Sequence, residues 1–106
     1  MSEDFPPVSS IDKLIHAPAR LLLMANLYVV ERADFLFLMT QTGLSFGNLS
    51  SHMSKLESAG FIKVEKEFVE KKPVTRLSLT EEGRSAFEDY KRRMQHLFSD
   101  VRASNN

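Results

Sequence analysis

The sequence predicts a mainly α fold with a small β-hairpin, an α+β arrangement in which a last helix follows the hairpin. Three observations support this prediction. Apolar residues recur at helical spacing before residue 60, apolar and polar residues alternate between residues 62 and 79, and helical spacing resumes after residue 80. The 106 residues, of which 42% are apolar and 26% charged, fit a single globular domain.

The N-terminal part begins with an irregular segment and continues into helix one. Residues 1–9 are expected to form a flexible arm, because two prolines exclude a helix there. Ser10 is suited to cap a short helical turn. Pro18 then fits the first turn of helix one, which apolar residues continue to about Val30.

Two further helices follow, with a close turn between them. Asp34 is a good N-cap for helix two, residues 35–42, and Gly43 suits the left-handed conformation that ends a helix. Ser45 is suited to cap helix three, and Gly60 to end it. The two helices are therefore expected to be separated by about three residues.

Helix three has a distinct inner and outer face. Leu49, Met53 and Leu56 recur at helical spacing and define the inner stripe. A step of about 100° per residue then places small or polar residues on the opposite side and its flanks: Gly47, Asn48, Ser50, Ser51, Ser54, Lys55 and Ser58. His52 lies about 60° from the stripe, where a histidine that packs and hydrogen-bonds is expected.

The segment after helix three alternates apolar and polar residues as a strand does, with an irregularity expected near Lys66. Residues 70–73 are polar and turn-like, and residues 74–79 alternate again, so the two strands are expected to form a hairpin. Thr80, followed by two acidic residues, is suited to start the last helix.

Three helices, a close turn before the third and a hairpin directly after it predict a winged helix-turn-helix over residues 10–80. In this fold the third helix enters the major groove of DNA, and short side chains let its backbone approach closely. A serine-rich face on an isolated helix would most often only contact water, so this prediction depends on the helix-turn-helix context. In the wing, expected at residues 66–75, Lys71 and Lys72 either contact phosphates or are merely solvated, and Arg76 is a further candidate.

The last helix, residues 81–101, carries an apolar seam. Its members follow the spacing of a short coiled coil: Phe87, Tyr90, Met94, Leu97 and Val101. The seam either packs on helix one of the same chain, as part of it is expected to do near Phe87 and Tyr90, or pairs with a partner subunit. Little chain remains to cover Leu97, Phe98 and Val101, so we expect a homodimer through this C-terminal dimerisation helix. Residues 102–106 are expected to be a disordered tail.

The charge distribution favours a basic surface on the central elements. The chain is neutral overall, but residues 45–79 carry six basic and four acidic residues. Because phosphate neutralisation supplies much of the affinity for DNA, overall neutrality leaves an alternative open. That alternative is a winged-helix module for protein-protein interaction without specific DNA binding.

Several classes of site are missing from the sequence. There is no cysteine, and the three histidines have no metal-ligand spacing, so no metal site is expected. No phosphate loop, nucleophile elbow or pair of catalytic carboxylates occurs, so we expect neither an enzyme nor a cofactor. No apolar run is long enough for a bilayer and no basic leader opens the chain, so we expect a cytoplasmic protein without a membrane partner.

Three segments resemble known regulators: IHAPARLLLMANL, LSFGNLSSHMSKLESAGFIKVEK and KKPVTRLSLTEEGRSAFEDY. They are similar to the compact winged-helix regulators of the MarR/ArsR-like superfamily, particularly its small single-domain DNA-binding group. The resemblance covers residues 11–98. It implies a dimeric transcriptional regulator that places residues 46–59 in the major groove and residues 70–73 beside it. The chain departs from ArsR-type metal sensors in having no cysteine, and from MarR proteins in lacking a long N-terminal dimerisation helix.

The prediction is therefore a homodimeric transcriptional regulator that binds double-stranded DNA at a palindromic operator, with recognition helices about 34 Å apart. No small-molecule effector is identified. The candidate DNA-binding residues are Phe46, Gly47, Asn48, Ser50, Ser51, Ser54, Lys55, Lys71, Lys72 and Arg76.

Overall fold

A computed structural model describes residues 10–104, so the arm expected at residues 1–9 and the last two residues of the chain lie outside the described residues. The elements, in chain order, are α1 Ser10–His16, α2 Pro18–Val29, β1 Ala33–Asp34, α3 Phe35–Thr42, α4 Phe46–Ser58, β2 Ile62–Val69, β3 Lys72–Leu79 and α5 Glu81–Ser104. The mainly helical fold with a small hairpin is confirmed, and the predicted helices one, two and three correspond to α2, α3 and α4.

A close turn joins α3 to α4, as the sequence predicts. The Asp34 carboxylate accepts a hydrogen bond from the Leu36 amide at 2.7 Å and caps the start of α3. Gly43 ends α3 in the left-handed conformation, with a φ of +72°. Ser45 Oγ then accepts from the Asn48 amide at 3.1 Å and caps the start of α4. These local hydrogen bonds fix the path of the chain from one helix to the next.

One threonine connects the end of α4 with the start of α5. Gly60 ends α4 with a φ of +80°, and the amides of Gly60 and Phe61 donate to carbonyls in the last turn of the helix. The Thr80 hydroxyl donates to the Gly60 carbonyl at 2.6 Å and accepts from the Gly83 amide at 3.0 Å. Here α5 lies so close to the connection between α4 and β2 that a Cβ at Gly83 would be 1.9 Å from the Phe61 carbonyl oxygen.

The hairpin belongs to a three-stranded antiparallel sheet in the order β1-β3-β2. Residues 62–69 pair with residues 72–79 without interruption, so the irregularity expected near Lys66 is wrong. Lys66 lies on the core face of β2, but at a point where the hairpin has left the core, and its side chain is exposed. Glu70 and Lys71 have φ values of +52° and +68° and form a two-residue turn of the I′ type.

The sequence does not predict β1, because two residues are too few to show alternation. Ala33 pairs with Leu77 and Asp34 with Arg76, so β1 adds to the free edge of β3. This pairing attaches the segment between α2 and α3 to the hairpin.

The core is built around α2, which contacts α3, α4, α5 and β3. The largest fully buried side chains are Ile15, Leu23, Met24, Leu27, Leu38, Leu49, Leu56 and Leu77. Leu49 and Leu56 confirm the inner stripe predicted for α4, and Met53 between them is partly buried. Within residues 10–104 no helix combines the length and the hydrophobicity that crossing a bilayer requires.

α5 has 24 residues and packs on the core through its first half. Phe87 and Tyr90 are buried within their own chain, where this part of the seam is expected to pack, so their assignment to a dimer interface is wrong. The centroids of the Phe87 and Tyr28 rings are 5.1 Å apart, and the Tyr90 hydroxyl lies 2.5 Å from His16 Nδ1. The helix includes residues 102–104, so this part of the expected disordered tail is helical.

Candidate nucleic-acid interface

The face of α4 opposite the core carries small and polar side chains. Six residues that the sequence places on this outer face are exposed in the structure: Gly47, Asn48, Ser51, Ser54, Lys55 and Ser58. Ser50 lies at the flank and is half-buried. Side chains this short leave the backbone of the helix accessible, and hydroxyl and amide groups can bond base edges or phosphates.

Gly47 lies in the first turn of α4 and has no structural reason to be glycine. A Cβ built there meets no atom within 4 Å, and its φ is not in the left-handed region. Glycine inside a helix costs about 0.5–1 kcal/mol of stability relative to alanine. Folding alone would therefore favour a larger residue, which makes Gly47 a candidate for close approach by a ligand.

Phe46 is the first residue of α4, and its side chain is 65% exposed. Its ring centroid lies 5.1 Å from that of Phe35 in a tilted arrangement. Phe35 itself is buried at the start of α3. The Phe46 ring is thus supported on one side by the helix-turn-helix and is exposed beside Gly47.

His52 is held at the boundary of the core, as the sequence predicts. Arg20 Nε donates to the Leu14 carbonyl of α1 at 2.6 Å, and Arg20 Nη1 lies 3.3 Å from His52 Nδ1. Sequence reasoning missed Arg20, because no local pattern shows that α2 and α4 meet at this point. Across residues 10–104 no cluster of three acidic or histidine side chains could hold a metal ion.

The surroundings of His52 favour its neutral form. Burial lowers the pKa of His52, and the nearby positive charges of Arg20 and Lys55 lower it further. A neutral imidazole can accept a hydrogen bond from the Arg20 guanidinium at Nδ1, whereas a protonated one cannot. The hydrogen bond between Arg20 of α2 and His52 of α4 therefore depends on the neutral imidazole.

The tip of the hairpin presents two of the predicted wing residues. Lys71 and Lys72 are both exposed, Lys71 in the turn and Lys72 at the start of β3. Phe68 lies near the end of β2, and its side chain is 78% exposed. The tip thus combines two cations with one exposed aromatic ring.

Arg76 does not lie at the tip. It is on β3, opposite Asp34 of β1 on one side and Glu65 of β2 on the other. Its Nε lies 2.8 Å from Glu67 Oε1, and Arg32 Nη2 donates to the same oxygen at 3.0 Å. Sequence reasoning missed Arg32 and Glu67, because their contact depends on the pairing of β1 with β3.

The outer half of α5 carries the rest of the predicted seam. Its members are Met94, Leu97, Phe98 and Val101. Met94 and Leu97 are half-buried, whereas the Phe98 side chain is 66% exposed. On the polar side of the helix, residues one turn apart form ion pairs, such as Arg93 with Asp89 at 3.0 Å. These pairs stabilise the helix where the core does not cover it.

The sequence matches a known family model and a curated relative. The family model, described as a winged helix DNA-binding domain, matches residues 19–98. An uncharacterized protein of Methanocaldococcus jannaschii is 33% identical over 78 residues, which are 74% of this chain and 85% of that protein. The family match includes α3, α4 and the hairpin.

Solved structures of transcriptional regulators share the fold. A transcriptional regulator homologue from Pyrococcus horikoshii OT3 has a TM-score of 0.80 at 25% identity, covering 84% of this chain and 88% of that chain. An ArsR-family transcriptional regulator has a TM-score of 0.59 at 20% identity, and the match covers 84% of this chain and 87% of that chain. Reduced AbfR bound to DNA has a TM-score of 0.65 at 16% identity, covering 89% and 76%. Together with the family model, these structures confirm the winged-helix fold that the resemblance implies.

Proposed function

The chain belongs to the winged helix DNA-binding domain family, and we propose that it is a homodimeric transcriptional regulator that binds a palindromic operator in double-stranded DNA. α4 enters the major groove, and the wing contacts the flanking backbone or the minor groove. The similar solved structures are those of regulators, and the proposal assigns no catalytic activity to the chain.

The outer face of α4 is the observation that carries this proposal. Leu49 and Leu56 hold one side of the helix in the core, while the other side exposes Gly47, Ser51 and Ser54. Nothing in the fold requires short side chains there, and an exposed helix is more stable with residues of higher helix propensity. Short side chains there would let the backbone of α4 approach the floor of a groove closely.

A two-fold arrangement through α5 would present two such helices to one DNA duplex. The exposed part of α5 offers an apolar seam, and Thr80 at its start is hydrogen-bonded to Gly60 at the end of α4. A partner that pairs with α5 is thus connected to α4 through a short hydrogen-bonded junction. Successive major-groove faces lie about 34 Å apart, so a dimer of this kind matches a palindrome.

The wing supplies contacts to phosphates. Lys71 and Lys72 are exposed at the tip, where cations are placed to meet the backbone on the flank of the groove. The fold of reduced AbfR, which was solved bound to DNA, is similar to that of this chain. That similarity supports double-stranded DNA as the ligand.

A module for protein-protein interaction is the second candidate function, and the neutral net charge favours it. The two functions differ in their response to salt. Binding that neutralises phosphates weakens steeply as the salt concentration rises, whereas a protein module binds little duplex DNA at any salt. Selection of bound fragments from random duplex DNA, followed by titration of the selected duplex at several salt concentrations, separates them.

Acidic substitutions on α4 provide the direct test. In Ser51→Glu or Lys55→Glu, the new carboxylate would face DNA phosphates, so we expect roughly tenfold or greater loss of affinity for the selected duplex. Ser85→Glu makes the same charge change as Ser51→Glu at an exposed position of α5 and is the control. Fluorescence anisotropy measures the affinity of each variant and of the wild type for the duplex. Equal affinities for the wild type and all three variants would refute the placement of α4.

A further inference from the structure

Two arginines and one glutamate form a cluster on the outer face of the sheet. Glu67 Oε1 lies 3.0 Å from Arg32 Nη2 and 2.8 Å from Arg76 Nε, so one carboxylate oxygen serves both guanidinium groups. The side chains of Arg32, Glu67 and Arg76 are 46%, 41% and 36% exposed. This Arg32–Glu67–Arg76 cluster is therefore accessible from solvent.

The strand register explains why the three side chains meet. Glu67 pairs with Val74, two residues from Arg76, so both charged side chains point to the same face of the hairpin. Asp34 of β1 pairs with Arg76 on its other side, and Arg32 directly precedes β1. The cluster is thus assembled from three separate segments of the chain.

The cluster has more hydrogen-bond donors than its carboxylate can satisfy. Each guanidinium group carries several N–H donors, and both groups contact the same oxygen of Glu67. Arg76 Nε is buried, and the Glu67 oxygen lies outside the direction of its N–H bond, so this donor has no aligned acceptor. A phosphate group offers several oxygens, in a geometry that suits paired guanidinium groups.

We propose that Arg32 and Arg76 form a binding site for a backbone phosphate of DNA, which Glu67 occupies in the free protein. The inference rests on the proposed function and adds Arg32 to its contacts. When DNA binds, the Glu67 side chain rotates into solvent and a phosphate takes its place. Exposed ion pairs between flexible side chains contribute little to stability, so a phosphate can displace the carboxylate. The site lies on the outer face of the sheet beside the wing, and its ligand is the flanking backbone rather than the base edges.

Glu67→Gln tests the competition directly, because it removes the negative charge and keeps the shape of the side chain. Glu65→Gln is the matched control. It makes the same charge change on the same strand and face, opposite Arg76, but the Glu65 carboxylate pairs with Lys63 at 3.7 Å and does not bridge the two arginines. At fixed salt, we expect Glu67→Gln to bind the selected duplex roughly threefold to tenfold more tightly than the wild type. Glu65→Gln should gain clearly less.

A double variant shows whether the gain comes from the cluster. When Arg32→Lys is combined with Glu67→Gln, the charge of the single variant is kept but one guanidinium group is lost, so most of the gain should disappear. Equal gains for Glu67→Gln and Glu65→Gln would mean that only total charge matters. That result would overturn the phosphate site and leave DNA binding itself intact.

A second measurement tests the phosphate site even if neither the wild type nor any variant binds duplex DNA. That outcome would reject the proposed function, and the cluster would then be judged with inorganic phosphate alone. Phosphate should shift the Arg76 Nε–H signal in the NMR spectrum of isotope-labelled Glu67→Gln, and should leave it unchanged in Glu65→Gln. An unchanged signal in both variants would overturn the anion site.

Discussion

Gly47 separates what folding requires from what DNA binding requires. Gly43 and Gly60 have positive φ values, and Gly83 lies against the Phe61 carbonyl, so the fold explains all three. Gly47 is helical and has open space around it. A residue that lowers helix stability without any structural compensation is most simply explained by a ligand that needs the space.

Alanine at Gly47 and at Gly83 should have opposite effects on stability. Gly83→Ala places a methyl group against the Phe61 backbone, so we expect the free energy of unfolding to fall by about 1–3 kcal/mol. Gly47→Ala adds helix propensity without a clash and should raise it by about 0.5–1 kcal/mol. Urea denaturation followed by circular dichroism measures both changes. Gly47→Ala should also weaken operator binding; a variant that is more stable and binds equally tightly would contradict a close approach at Gly47.

At the scale of elements, α4 is fixed to the body by packing on one side and by a polar contact at its edge. Arg20 of α2 bonds the Leu14 carbonyl of α1 and contacts His52 of α4, so three helices meet at one guanidinium group. This contact requires neutral His52. This hydrogen bond between α2 and α4 is thus coupled to the protonation of one side chain.

The stability that His52 contributes should depend on pH. The unfolded chain protonates His52 near the ordinary pKa of 6.5, whereas the folded chain does so only at lower pH. The contribution is therefore present above pH 6.5 and is lost as the pH falls through the lowered pKa of the folded protein. The difference in the free energy of unfolding between the wild type and His52→Asn should shrink between about pH 7.5 and about pH 5.

His96→Asn is the control for this pH dependence, because His96 is exposed and pairs only with Asp100 of its own helix among the described residues. Urea denaturation at both pH values gives the comparison. A difference between the wild type and His52→Asn that stays constant or widens toward acid pH would show that His52 does not act in this way.

At the scale of the whole molecule, α5 extends beyond the body that it packs on. Phe87 and Tyr90 are covered by α2 and α1, whereas the Phe98 side chain is 66% exposed. A helix with a polar majority and one exposed apolar strip is typical of a pairing surface. We therefore expect the dimer to form through the outer half of α5.

Phe98→Lys should shift the protein from dimer to monomer. A cation would have to be buried in the apolar seam, and the unpaired charge would oppose association. Size-exclusion chromatography with light scattering should give about half the wild-type mass at micromolar concentration. Ser99→Lys, at the next exposed position, should leave the mass unchanged. Because Phe98 is 66% exposed, the urea midpoint of the monomer fold should change little, and an unaltered dimer would contradict the seam.

The sequence by itself determined the positions of the helices and the inner face of α4. Asp34, Gly43 and Ser45 act on backbone groups within a few residues, so their effect can be read from the local sequence. Leu49 and Leu56 define a buried side by spacing alone. These features need no knowledge of what lies across the core.

The tertiary structure alone decided which charged and apolar groups meet across the chain. Phe87 satisfies the spacing of a dimer seam, but the position of α2 buries it within the chain. Arg32, Glu67 and Arg76 come from three segments, and a two-residue strand brings them together. Gly83 is required only because α5 crosses the Phe61 carbonyl. Such contacts depend on how elements distant in sequence are placed relative to one another, and local periodicity carries no information about that placement.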